Sequence, residues 1–163
     1  MAAGATYEPI ATTTLGSAQA SVTFNSFSGY TDLFLVVNAT STANNNMDLR
    51  FNSDSASNYS RTVVLGDGST ASSNRASSQT FIRCTSDGII STGSSMQTVN
   101  IMNYANSTTY KTTIGRANNA AFGTDAIVGL WRSTAAITSL TLTLSTNNFS
   151  AGSTFTLYGI AAA

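Results

Sequence analysis

The sequence has no histidine, one cysteine, one proline and one tryptophan, and only 9% of its residues are charged. Lys111 is its only lysine and Glu8 its only glutamate. Each shortage removes a class of function. Without histidine the commonest general base and metal ligand is missing, so neither a Ser-His-Asp nor a Cys-His unit can be built. A two-carboxylate hydrolase would have to draw on Glu8 and aspartates that each stand alone in the chain. The chain is therefore expected not to be an enzyme and to need no cofactor. Cys84 has no second cysteine to pair with, and in Phe-Ile-Arg-Cys it reads as a small buried hydrophobe. The seven basic residues are scattered and matched by seven acidic ones. Phosphate binding relies on clustered Lys and Arg, so nucleic acid is not an expected partner. No basic segment leads into an apolar run, and no run approaches the roughly 18 apolar residues of a membrane span. The expectation is synthesis in a cytosol, with neither secretion nor membrane insertion.

Hydroxyls and amides take the place of charge. Serine and threonine make up roughly 30% of the chain, and asparagine is frequent. These side chains are short and suit strands and turns. The 42% apolar content argues against disorder. A surface with zero net charge fits a protein packed into an assembly better than a free monomer. At 163 residues the chain fits one domain, large enough to form a core without disulfides or a structural metal.

Helical periodicity is nearly absent. Residues 1–6 read as a short N-terminal arm, and 7–163 as a single domain. Period-two alternation predicts strands over 20–24, 47–52, 58–65 and 137–145, and further short strands over 7–15, 80–84, 97–104, 110–116, 126–132 and 153–160. In 31–39 (TDLFLVVNA) five apolar residues follow one another, which predicts a strand covered on both faces. Residues 69–78 are rich in Ser, Ala and Asn and read as a long exposed loop. In 47–52, Asp48 and Arg50 are expected to face outward. Alternation places Phe24, Leu33, Leu35, Val37, Leu49, Phe51, Val99, Ile101, Ile127, Trp131, Leu140, Leu142, Leu144, Phe155 and Leu157 in the core. The segment around Leu142 is uncharged and strongly β-forming, so it should be paired on both sides. Many short strands separated by Gly and Asn turns predict an all-β fold: a single antiparallel β-sandwich, preferably jelly-roll-like.

Few residues suggest chemistry. In 51–59 (FNSDSASNY), Asn52, Asp54, Ser55 and Asn58 gather oxygen atoms of the kind that hold calcium, but a single carboxylate is few for that ion. A polar turn with Asp and Asn capping backbone amides is the favoured reading. Gly66-Asp67-Gly68-Ser69 lacks the lysine of a phosphate loop and reads as a hairpin turn. Trp131, with Tyr59, Tyr104 and Tyr110, could offer stacking surfaces to a sugar, although aromatics on strands are more often core.

Several segments carry a resemblance: Tyr7-Glu-Pro-Ile-Ala, residues 15–24 (LGSAQASVTF), Tyr30-Thr-Asp-Leu33, residues 50–54 (RFNSD), Asn58-Tyr-Ser60, residues 129–140 (GLWRSTAAITSL), Phe149-Ser-Ala-Gly-Ser153 and Leu157-Tyr-Gly-Ile160. Together they resemble small structural proteins of tailed bacteriophages. The resemblance spans nearly the whole chain, least clearly over 69–95. It implies a virion component made in the host cytoplasm and displayed on the particle's outer surface, and it supplies no catalytic residue. The expectation is a capsid decoration (cement) protein, a homo-oligomer of trimeric form, bound to the major capsid protein or other virion proteins. The alternative is a receptor-binding jelly-roll module of a tail fibre that recognises host glycans.

Overall fold

The computed structural model describes residues 6–86 and 88–161. The predicted arm lies outside the described residues except for Thr6, whose carbonyl accepts from the Ala161 N–H. The chain forms β1 (Tyr7–Thr14), β2 (Ser21–Asn25), β3 (Asp32–Ala39), β4 (Met47–Phe51), β5 (Tyr59–Gly66) and β6 (Ala71–Gln79). It continues through β7 (Ile82–Arg83), β8 (Ser95–Ile101), β9 (Lys111–Asn119), β10 (Gly123–Trp131), β11 (Ser139–Leu144) and β12 (Thr154–Ile160).

These strands make two antiparallel sheets, ordered β1-β12-β3-β8-β9-β10-β5-β6 and β2-β11-β4-β7. Setting aside the hairpins β5–β6 and β9–β10 leaves β1-β12-β3-β8 facing β2-β11-β4-β7. In that order the chain crosses between sheets at every step but β4 to β7, which is the strand order of a jelly roll. The two hairpins extend only the first sheet, so half of the eight-stranded layer is an addition to the basic barrel.

Alternation explains the core. Every core residue expected from period-two patterning is buried. Leu142 lies between Val22 of β2 and Leu49 of β4, so the aggregation-prone β11 is paired on both sides. Two glycines permit close layers. A Cβ on Gly129 would fall 2.7 Å from Cγ2 of Ile82 in the opposite sheet, and one on Gly159 would enter the ring of Tyr30.

Three expectations are corrected. Residues 71–79 are not loop but the edge strand β6, paired with β5 from Gly66↔Ala71 to Tyr59↔Gln79. Its Ser, Ala and Asn side chains are mostly exposed on both faces, so no alternation marks it; the backbone of β5 imposes the extended form. The strand expected over 80–84 shortens to β7, which pairs with β4 only through Asp48↔Arg83 and Leu49↔Ile82. That pairing buries Asp48, expected outside, at 5% exposure with the Arg83 guanidinium donating to it at 2.9 Å. The run at 149–153 is a turn, with Gly152 at φ 84°. It joins β11 to β12 across the two sheets.

Candidate functional site

The oxygen-rich turn after β4 is built around Asp54. Its Oδ2 accepts from Trp131 Nε1 at 2.7 Å and Asn58 Nδ2 at 2.9 Å, and its Oδ1 from the Ala56 N–H at 2.8 Å. Partial burial works to raise the Asp54 pKa, but the hydrogen bonds from Asn58, Trp131 and Ala56 outweigh it and hold the carboxyl below its usual value. Asn52 turns away: its Oδ1 accepts from the Thr138 and Ser139 N–H groups, and its Nδ2 donates to the Ala136 carbonyl. Asn58 offers Asp54 a donor, not an oxygen. Asn52, Asp54 and Asn58 therefore do not converge as a cation ligand set; they clamp turns to β10 and to the entry of β11, as in the polar-turn reading.

The aromatics divide the same way. Tyr59 and Trp131 stack at 6.2 Å and enclose Phe51, all below the surface. The Tyr59 hydroxyl accepts from the Phe51 N–H at 3.1 Å, and burial pushes its pKa up to about 12. Tyr104 is buried against Phe27. Of the four aromatics considered for a sugar, only Tyr110 is exposed. Cys84 is buried, and burial together with the Asp48 charge pushes its thiol pKa up. Asp67 caps the β5–β6 hairpin, accepting from the Ser69 and Thr70 N–H groups, as the sequence suggested.

Sequence reasoning missed the feature that best fits a binding function: the outer face of the eight-stranded sheet. Strand register sets its side chains in rows. One runs Thr62, Val128, Ile114, Asn100, Phe34, Tyr158 across β5, β10, β9, β8, β3 and β12. The next runs Val64, Ala126, Arg116, Thr98, Val36, Thr156. Val64, Val128 and Ile114 are each more than half exposed. Phe34 is half-buried, and Tyr7 meets its ring edge-on at 5.6 Å. The signal was present in 31–39, whose unbroken apolar run called for cover on both sides. The inner residues Leu33, Leu35 and Val37 have it; Phe34 and Val36, facing out, have no second layer from the described residues.

The small sheet is different. Its outer face carries Ser21, Thr23, Thr141 and Thr143, with the Asp48–Arg83 pair and Phe81 lying between Arg50 and Arg83 at 5.7 and 5.2 Å. Burial raises the Asp48 pKa despite the opposing hydrogen bond and charge of Arg83. Lys111 is buried on the inner side of the large sheet, and its ammonium donates to the carbonyls of Thr109 and Thr134. Compared with known proteins, the chain matches no family model and no curated protein.

Proposed function

We propose that this chain is a structural subunit of a tailed-phage particle, an outer capsid decoration protein that lays the outer face of its eight-stranded sheet on the major capsid protein. The single observation behind this reading is that face. Strands about 4.8 Å apart and roughly seven residues long, at about 3.3 Å per residue, give eight of them a face of roughly 800 Å². A standard protein interface takes about 800 Å² from each partner. The charged residues in its rows are Arg75, Arg116 and Asp32, so packing there strips water from few charges. The hairpins β5–β6 and β9–β10 enlarge this layer alone, which is the growth expected of a docking platform. Modest apolar contact repeated over many symmetric copies adds up through multivalency.

The tail-fibre reading loses three of its proposed stacking residues, because Tyr59, Tyr104 and Trp131 are buried. Copy number tests the choice. Quantitative mass spectrometry of purified particles should find hundreds of copies per particle; tens or fewer would replace the capsid reading with a tail one. Deleting the gene should leave capsids that assemble but release DNA at lower temperature. Full particle stability with failed adsorption would reject the cement role.

A further inference from the structure

A depression of about 340 Å³ lies near the middle of the large outer face. Strand register accounts for it. The outward residues of β8 here, Thr98 and Asn100, are short. Asn100 has Phe34 of β3 on one side and Ile114 of β9 on the other, so a low polar floor runs between two apolar walls. The edge-on ring of Tyr7 backs Phe34. Arg116 of β9 borders the depression, standing in its row between Thr98 and Ala126. Both neighbours are too short to screen Arg116, which is exposed.

Arg116 is a charge without a counterpart. Arg50 donates to the Thr80 carbonyl at 3.0 Å, and Arg83 pairs with Asp48. The Arg116 guanidinium has no hydrogen-bond acceptor and no carboxylate among the described residues. Among those residues, the acid in the rows of this face is Asp32. It lies four residues along β3 from Val36, which shares the row of Arg116 two strands away. At about 3.3 Å per residue and about 4.8 Å between strands, that is roughly 16 Å, beyond a screening length of about 8 Å. Its Oδ1 already accepts the Asn103 N–H at 2.6 Å. If another protein covers this face, the guanidinium loses water, and a charge desolvated without a partner strongly opposes docking. The partner must then bring the anion.

We propose that the depression receives an acidic side chain of the capsid partner, an Asp or Glu flanked by apolar residues, with its carboxylate on Arg116 and the flanking side chains on Phe34 and Ile114. This inference rests on the docking reading above and adds the chemistry of the occupant. Guanidinium and carboxylate match as a planar pair joined by two hydrogen bonds. The Asn100 amide, also without a hydrogen bond among the described residues, can serve the backbone of the incoming segment. A second copy of this chain fits poorly, since its matching face offers Arg75, Arg116 and only the border residue Asp32.

The test mixes the purified full chain with capsids of the gene-deleted phage and measures bound subunit by co-sedimentation. Arg116→Gln should weaken binding about ten-fold and Arg116→Glu about a hundred-fold, as expected for truncating or reversing one partner of a buried charge pair. Arg116→Lys gives a second readout. Lys111 is the only lysine of the chain and is buried, so the new side chain is its one accessible lysine. A water-soluble carbodiimide should couple the new amine to the contacting carboxylate as an amide, the displaced oxygen leaving on the urea formed from the reagent. Peptide mass spectrometry should then locate an Asp or Glu of the major capsid protein. Arg116 is exposed, so all three variants should melt like the parent as free subunits. A parent chain that fails to bind these capsids removes the docking reading, and this inference with it. Where the parent binds, the inference alone is overturned if Arg116→Gln binds as tightly, or if the new amine couples to no capsid carboxylate or only to another copy of the chain.

Discussion

The indole N–H of Trp131 donates to Oδ2 of Asp54 at 2.7 Å, tying the end of β10 to the turn that follows β4. Asp54→Ala would leave the buried indole, the Asn58 amide and the Ala56 N–H without their acceptor. The expected loss is about 1–3 kcal/mol in urea unfolding, the usual cost of stranding partly buried donors. The pH dependence has a definite sign. The folded Asp54 pKa lies below the unfolded value, so its contribution is full above the unfolded pKa, about 4, and is lost as pH falls through the lower folded one. The stability gap between the parent protein and Asp54→Asn should therefore be wider at neutral pH than at strongly acidic pH. A gap that stays constant through acidification would mean the carboxylate charge contributes nothing.

Gly129 of β10 lies against Ile82 of β7, and an added Cβ would sit 2.5 Å from Thr113 Oγ1 and 2.7 Å from Ile82 Cγ2. Gly129→Ala overpacks the contact between the layers and should cost about 1–3 kcal/mol. Ile82→Ala opens a cavity on its own, yet combined with Gly129→Ala it removes the Ile82 side of the clash and leaves only Thr113 Oγ1 to give way. A double-mutant cycle should show the pair less destabilised than the sum of the singles. Additive effects would place the strain elsewhere.

Leu142 is fully buried at the centre of the small sheet, with a hydrogen-bonded strand on each side. Leu142→Ala should cost about 2–5 kcal/mol, because strands fixed on both sides cannot close over the lost methyls. Equilibrium unfolding with a cost below about half a kcal/mol would put this residue outside the core.

The parts of the fold legible in the sequence are those where the two faces of a strand meet different surroundings. Leu140, Leu142 and Leu144 point inward while Thr141 and Thr143 point out, so the pattern records the geometry directly. The edge strand β6 has no such contrast, and its identity comes from β5 beside it. The loop anchors are equally silent. Asn45, at 2% exposure, accepts from Ser145 Oγ at 3.0 Å and the Thr146 N–H at 2.9 Å, and donates to Ser41 Oγ. It joins segments about a hundred residues apart from within three successive asparagines. Asp48 reads as a surface residue because its partner Arg83 lies on a two-residue strand that no periodicity can reveal. The contact between the β5–β6 and β9–β10 hairpin tips at Gly66 and Gly123 depends on β5–β10 pairing, between strands far apart in sequence. The outer face was half legible, since five consecutive apolar residues demanded two covered sides.

Lys111 and Cys84 give a chemical test of the packing. Lys111 is 1% exposed, and its ammonium is held by two carbonyls. Cys84 is 5% exposed, with its thiol pKa raised by burial and by Asp48. Amine- and thiol-directed reagents should leave both unmodified in the folded protein and label both in denaturant, read by peptide mass spectrometry. Thiolate is the reactive form, so Cys84 should remain slow even at mildly alkaline pH. Rapid labelling of either residue without denaturant would contradict its burial.

Val128 and Ile114 are register partners on β10 and β9, exposed by 51% and 56%, near the middle of the large outer face. Val128→Asp should change the stability of the isolated subunit little, within about 0.5–1 kcal/mol, because the side chain already faces water. In a docked subunit the same carboxylate would be buried without a partner, and a stranded charge costs several kcal/mol. A phage carrying Val128→Asp should thus make a folded, soluble subunit that is missing from purified particles. Ser21→Asp, an exposed change on the outer face of the small sheet, should still be incorporated. The comparison separates the two faces of one sandwich, since both variants add the same charge to a strand surface. Normal incorporation of Val128→Asp would remove the large face as the docking surface. Loss of Ser21→Asp alone would transfer that role to the threonine-rich small sheet.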